Sequence, residues 1–363
     1  MLQIGEKMNI LYCKKKLLIL TFGVLTSYAI PISSAAAQSN QVTISQKNQQ
    51  DMYSLRPVEF KQVLAQTGSS MLVMKSYVDN IQAQPEIHVK CIQMIPETLR
   101  SGMIQHQKNA KEHASNWGKV EKTILETNQN IIQFNEKFQS QYERLSMALQ
   151  QKQTGQLQSH IQDLFLAISQ NKKESDQLIP MLQEVQSNIE ADVIHLKKDV
   201  NLLMPIINSE TGWRSDLQDQ INANREIIKK NKDILWDLIS SGRANKDNLA
   251  AARKKIATAE ENIQNLTANL SGVQSNVAIL TDTQNNMTDM IEAITMAVQA
   301  LQQLSTQWSI LQLKYEAVLN AINTIDPEIL EWIQSDLTIA QKEWQDLTNY
   351  AEQLQGLYTT ENK

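Results

Sequence analysis

From Ala259 onward every seventh residue of the chain is apolar, through Leu266, Val273, Leu280, Met287, Ile294, Leu301, Trp308, Tyr315 and Ile322. Ile256, Ile263, Leu270, Val277, Ile291 and Val298 complete an a/d seam that Gln284 interrupts. This is the period of helices packed side by side. Only Gly272 disturbs the run before Pro327 ends it, so the pattern predicts one helix of roughly 70 residues, about 100 Å long.

Shorter stripes with the same period fill most of the rest. Met103, Ala110, Ala114, Trp117, Val120, Ile124, Ile131, Phe134, Phe138, Leu145 and Leu149 predict a helix over 96–150. Leu178, Leu182, Val185, Ile189, Val193, Leu196, Val200 and Leu203 predict another, with Pro180 expected to kink it or start a new helix. Leu217, Ile221, Ile228, Leu235 and Leu238 follow, and Leu330, Ile333, Leu337, Trp344, Leu347, Ala351, Leu354 and Tyr358 make a C-terminal helix. Breaks are expected at Pro85–Pro96, Gly155, Pro205–Gly212 and Ser240–Gly242. A first helix is expected from about Ser54 to Gln84, with Pro57 at an early helical position. Helices this long must bury their stripes on one another. The predicted fold is all-α, an elongated bundle of long antiparallel helices.

Composition strengthens this reading. Among 363 residues there are 10 Gly, 7 Pro and 5% aromatics, too few breakers for the many tight turns of a sheet-based fold. The first residues read as a targeting segment. Lys14-Lys15-Lys16 precedes the apolar stretch Leu17 to Ile30 and then Ser33-Ser34-Ala35-Ala36-Ala37. A basic region, a short apolar core and small residues are what signal peptidase requires, so 1–37 is expected to be removed and the chain secreted. Residues 38–53 form a polar leader, and 54–363 a single bundle domain with a short polar turn near 240–248. Removing 1–37 takes away four Lys and one Glu, moving the net charge from −5 to −8. A chain this acidic is a poor phosphate binder, and no nucleic-acid partner is expected. The cleaved chain keeps Cys91 as its one cysteine, read as a buried thiol.

Candidate chemistry is sparse. The sequence has no G-x-G-x-x-G, Walker loop, G-x-S-x-G or H-E-x-x-H, so no enzyme activity, cofactor, small-molecule substrate or metal is expected. His106 and His113, seven apart, are the best pair for a metal, yet no carboxylate or thiol at ligand spacing accompanies them. They read as surface histidines. Lys254-Lys255 and Glu260-Glu261 read as solvated helix faces. Trp308 and Trp344 fall on stripes and read as core. Ile234, Leu235, Trp236, Leu238 and Ile239 form an apolar cluster at the predicted tip of a helical hairpin. They pack the end of the bundle or touch a membrane or partner.

Several segments resemble the haemolysin BL and non-haemolytic enterotoxin family, relatives of cytolysin A. They are Leu55-Arg56-Pro57-Val58-Glu59-Phe60, Gln84-Pro85-Glu86-Ile87, His106-Gln107-Lys108-Asn109-Ala110 and Thr127-Asn128-Gln129-Asn130-Ile131-Ile132. Towards the C-terminus come Ala300-Leu301-Gln302-Gln303-Leu304-Ser305-Thr306-Gln307-Trp308 and Ala340-Gln341-Lys342-Glu343-Trp344-Gln345-Asp346-Leu347. The resemblance implies a cytolysin A-like bundle, secretion, and assembly with homologous toxin subunits on a target-cell membrane. Members carry a head with an apolar hairpin. Here the turn Gly242-Arg243-Ala244-Asn245-Lys246-Asp247-Asn248 is short and polar, so that hairpin is expected to be reduced or absent. The implied role is a hydrophilic accessory subunit that reaches the membrane through partners. The alternative is a non-lytic secreted interaction or binding protein on the same scaffold.

Overall fold

A computed structural model of the chain describes residues 51–87, 95–209, 215–270, 272–324 and 327–359. The targeting segment, most of the leader, Cys91 and the 210–214 part of the expected break lie outside the described residues. Everything described belongs to one compact unit, Asn48–Lys363.

Seven long helices make up the described residues: α1 Phe60–Ala83, α2 Glu97–Gln150, α3 Thr154–Ser209, α4 Ser215–Ser240, α5 Lys246–Ala268, α6 Gly272–Thr324 and α7 Pro327–Thr359. Cross-helix bonds fix their directions. His106 meets Asp199 and His113 meets Asp192, so α2 and α3 are antiparallel. Gln186 bonds Thr295 and Gln312 bonds Ser169, so α6 is antiparallel to α3. Gln307 reaches Glu59 and Asn80 reaches Asn286, which sets α1 antiparallel to α6. Asn128 donates to the Ala351 carbonyl and Gln139 to that of Gln341, which does the same for α2 and α7. At 1.5 Å per residue the 54 residues of α2 span about 80 Å, so the unit is an elongated antiparallel bundle.

Four expectations are corrected. The predicted 70-residue helix is two helices: α5 ends at Ala268, Asn269 caps it, and α6 restarts at Gly272. The heptad phase is nevertheless kept, since Ala259, Val273, Leu280, Met287, Ile294, Leu301, Trp308, Tyr315 and Ile322 are all buried. Second, α3 runs through both Pro180 and Pro205. Both prolines are exposed, so each costs the helix a backbone hydrogen bond while leaving the buried stripe in place. Third, the turn between α2 and α3 lies at Gln151–Gln153, with Lys152 left-handed at φ 54°, and Gly155 sits inside α3. Finally, Pro57 precedes α1 rather than opening it.

That last shift has a local cause. The Leu55 amide donates to Asp336 at 2.6 Å and its carbonyl accepts from Trp344 Nε1 at 2.9 Å. Arg56 pairs with Asp336 at 2.8 Å. A segment bonded outward at both peptide groups cannot also close a helical turn. Beside it, Phe60, Phe134, Phe138, Trp308 and Trp344 form one aromatic cluster; Phe60 stands edge-on to Trp308 at 4.7 Å between centroids. Leu157, Ile161, Leu164 and Ile168 add a stripe at the start of α3.

Candidate functional site

The short polar turn near 240–248 joins α4 and α5 into a helical hairpin. The α4 stripe Ile221, Ile228, Leu235 and Ile239 is buried. The turn is set by two caps. Gly242 takes φ 69°, its N–H donating to the Ile239 carbonyl at 2.9 Å while Arg243 donates to Leu238 at 2.8 Å. These are the paired bonds of a glycine-terminated helix. Asn245 then caps α5 reciprocally with Asn248, at 2.8 and 2.9 Å.

Within the apolar cluster at this tip, Leu235 and Ile239 are buried, Trp236 and Leu238 are half-buried, and Ile234 is 38% exposed. The cluster lies against α1, whose Ser69 hydroxyl bonds the Trp236 carbonyl at 3.3 Å. In this arrangement the structure presents little of it to the surroundings.

Below the tip the hairpin interface is polar. Lys232 is buried, with Nζ 3.3 Å from the centre of the Tyr77 ring and no hydrogen-bond acceptor. Its pKa is pushed down to about 7, chiefly by burial, with Glu260, Asp289 and Asp282 acting to raise it. Glu260 of α5 is pushed up to about 7, again chiefly by burial, and its Oε1 is buried without a partner. Burial likewise raises Asp289. Glu260 is therefore not on a solvated face. Asp282 is fully engaged, by Arg225 at 2.9 Å and Gln84 at 2.8 Å. A cleft of about 320 Å³ opens between α4 and α6, lined by Asn222, Arg225, Glu226, Lys229, Asp282 and Asp289. Another of about 420 Å³ opens between α1 and α5, beside Leu72, Lys75, Asp79, Arg253, Ile256 and Glu260.

Lys232 went unnoticed in the sequence. The signal was present, for Arg225 and Lys232 hold the heptad places that complement Ile221, Ile228 and Leu235.

His106 and His113 do share a helix face, and each half-buried ring bonds an aspartate of α3 through Nδ1. His106 meets Asp199 at 2.7 Å and His113 meets Asp192 at 2.6 Å, both carboxylates being 2% exposed. His195 stacks on His106 at 4.7 Å. These are interhelical pairs, and among the described residues no cluster of metal-ligating side chains is found. Burial holds Asp192 above the ordinary carboxylate range, against the pull of His113.

Such a chain is a helical bundle protein with a side hairpin, built from packing contacts and helix-to-helix polar staples. Among the described residues no helix is long and apolar enough to cross a membrane. Residues 54–231 match the family model described as Bacillus haemolytic enterotoxin (HBL). An uncharacterised protein of the hblA 3′ region of Bacillus cereus is 30% identical over 144 residues, covering 39% of this chain and 89% of that one. The chain belongs to the HBL family. Its fold matches the Bacillus cereus HblL1 toxin component with a TM-score of 0.70 at 21% identity, over 84% of this chain and 98% of that one. It also matches soluble SmhA, of the tripartite α-pore-forming toxin of Serratia marcescens, at TM-score 0.66 and 12% identity, over 86% and 97% of the two chains.

Proposed function

We propose that this chain is a secreted, non-enzymatic subunit of a multi-component α-helical pore-forming toxin, acting by helix-to-helix assembly with homologous subunits on a target-cell membrane. The observation that carries the reading is the near-complete coverage of HblL1 by a family member with no membrane-crossing helix among its described residues. A tripartite toxin such as the one that includes SmhA has three kinds of subunit, so one of them need not insert by itself. The chain fits the hydrophilic accessory place. The cluster Ile234, Leu235, Trp236, Leu238 and Ile239 would touch a partner or the membrane only after α4 leaves α1, since only Ile234 is well exposed when docked. Secretion rests on the 1–37 targeting pattern.

The test is dye leakage from liposomes and lysis of red cells by the chain from Gln38, alone and mixed with family members that carry an apolar hairpin. Lysis in the mixture alone is expected. Lysis by the chain alone would refute the accessory role, and no added lysis in any mixture would favour the non-lytic interaction protein.

A further inference from the structure

The α4–α5 hairpin reaches the rest of the bundle chiefly through α4 lying on α1, while α5 packs on α4. Clefts flank it on both sides, between α4 and α6 and between α1 and α5. Apart from the long Ser69 bond to the Trp236 carbonyl at 3.3 Å, the small hydroxyls of the α1 face beneath are satisfied within α1. Thr67, Ser69 and Ser70 bond carbonyls one turn back in α1 at 2.9, 2.8 and 3.1 Å. At the centre of the contact stands the Lys232 ammonium, buried over the Tyr77 ring without an acceptor. Across the interface the Glu260 carboxylate buries an oxygen without a donor. Groups of this kind disfavour the state that buries them, and water would satisfy both.

We propose that α4–α5 is a spring-loaded hairpin: burying Lys232 raises the free energy of the docked position, and the hairpin swings off α1 by returning that ammonium to water. Release of α4 from α1 is also what the tip contact proposed above requires, while the test below reads the isolated chain alone.

The groups around Lys232 set its pH dependence. α1 presents Lys75, Tyr77 and Asp79, α4 itself carries Arg225, Lys229 and Asp233, α5 supplies Arg253 and Glu260, and α6 supplies Asp282, Asp289 and Glu292. Docked, Lys232 titrates near 7, below its released value, so docking gains as pH rises from about 7 towards the ordinary lysine range. Glu260 titrates near 7, above its released value, so docking gains as pH falls from about 7 towards the ordinary carboxylate range, and Asp289 acts in the same sense. Docking is weakest near neutral pH.

Hydrogen exchange read by mass spectrometry on the purified chain tests this. Protection factors, corrected for intrinsic exchange at each pH, are compared between peptides of 215–268 and peptides of α2 and α3. Lys232→Met, apolar and of similar reach, is expected to raise hairpin protection at neutral pH roughly tenfold and leave α2 and α3 unchanged. The wild-type hairpin should show a protection minimum near pH 7, rising on both sides. Unchanged or lower protection in Lys232→Met, in the hairpin or throughout the chain, would make the ammonium over Tyr77 a stabilising contact and overturn the proposal. A wild-type profile without that minimum would overturn it too.

Discussion

Trp344 joins three distant parts of the chain: its indole N–H bonds the Leu55 carbonyl, while its ring packs on Phe60, Phe134 and Trp308. Trp344→Phe keeps much of the ring contact and removes the shorter of the two hydrogen bonds to the buried Leu55 carbonyl, leaving only the Tyr315 hydroxyl at 3.5 Å, so a loss of about 1 kcal/mol in urea unfolding is expected. Trp344→Ala should lose about 4 kcal/mol by opening a cavity as well. A second prediction concerns His113. His113→Ala strands the buried Asp192 carboxylate and should cost about 2 kcal/mol, most of it recovered when Asp192→Asn is added in a double-mutant cycle. Additive costs would show that the two side chains are not coupled. At this scale much of the meaning of the quoted segments was hidden in the sequence. Leu55, Phe60, Trp308 and Trp344 turn out to be one cluster, and Gln107 bonds both the Ile87 amide and the Pro85 carbonyl. Spacing shows which residues are apolar, but contacts between positions 289 residues apart are set by tertiary packing alone.

At the scale of elements, the stripes were readable and the breaks were not. Nine of ten heptad positions from Ala259 to Ile322 are buried, yet the chain divides after Ala268 because the same phase serves α5 against α4 and α6 against α3 and α1. A hydrophobic period specifies a face, and continuity depends on caps and tertiary partners. The prolines misled in the opposite direction, since an exposed proline costs a helix one bond and no packing. The hairpin turn, by contrast, was visible in Ser240-Ser241-Gly242, and its caps can be tested one by one. Gly242→Ala forces a side chain onto a left-handed residue, and Asn245→Ala removes the reciprocal cap of α5; each should cost about 1 kcal/mol. Faster hydrogen exchange confined to 215–268 is the expected readout. Equal acceleration of α2 and α3 exchange, or no change in the hairpin, would mean that the turn does not set the hairpin's own stability.

For the whole molecule, the elongated bundle was legible because every long helix carries its own stripe, and the HBL family model bears out the resemblance over 54–231. The buried Lys232 and the aspartates facing His106 and His113 were not, since polar groups on an apolar stripe read as interruptions until their partners are seen. As an accessory subunit, this chain is proposed to reach membranes through other subunits. The most direct measurement is flotation of the purified chain with liposomes, bare or preloaded with an HBL-family partner that carries an apolar hairpin. The chain is expected to float with preloaded liposomes and to stay at the bottom of the gradient with bare ones. Flotation with bare liposomes, or none with either, would contradict that proposal.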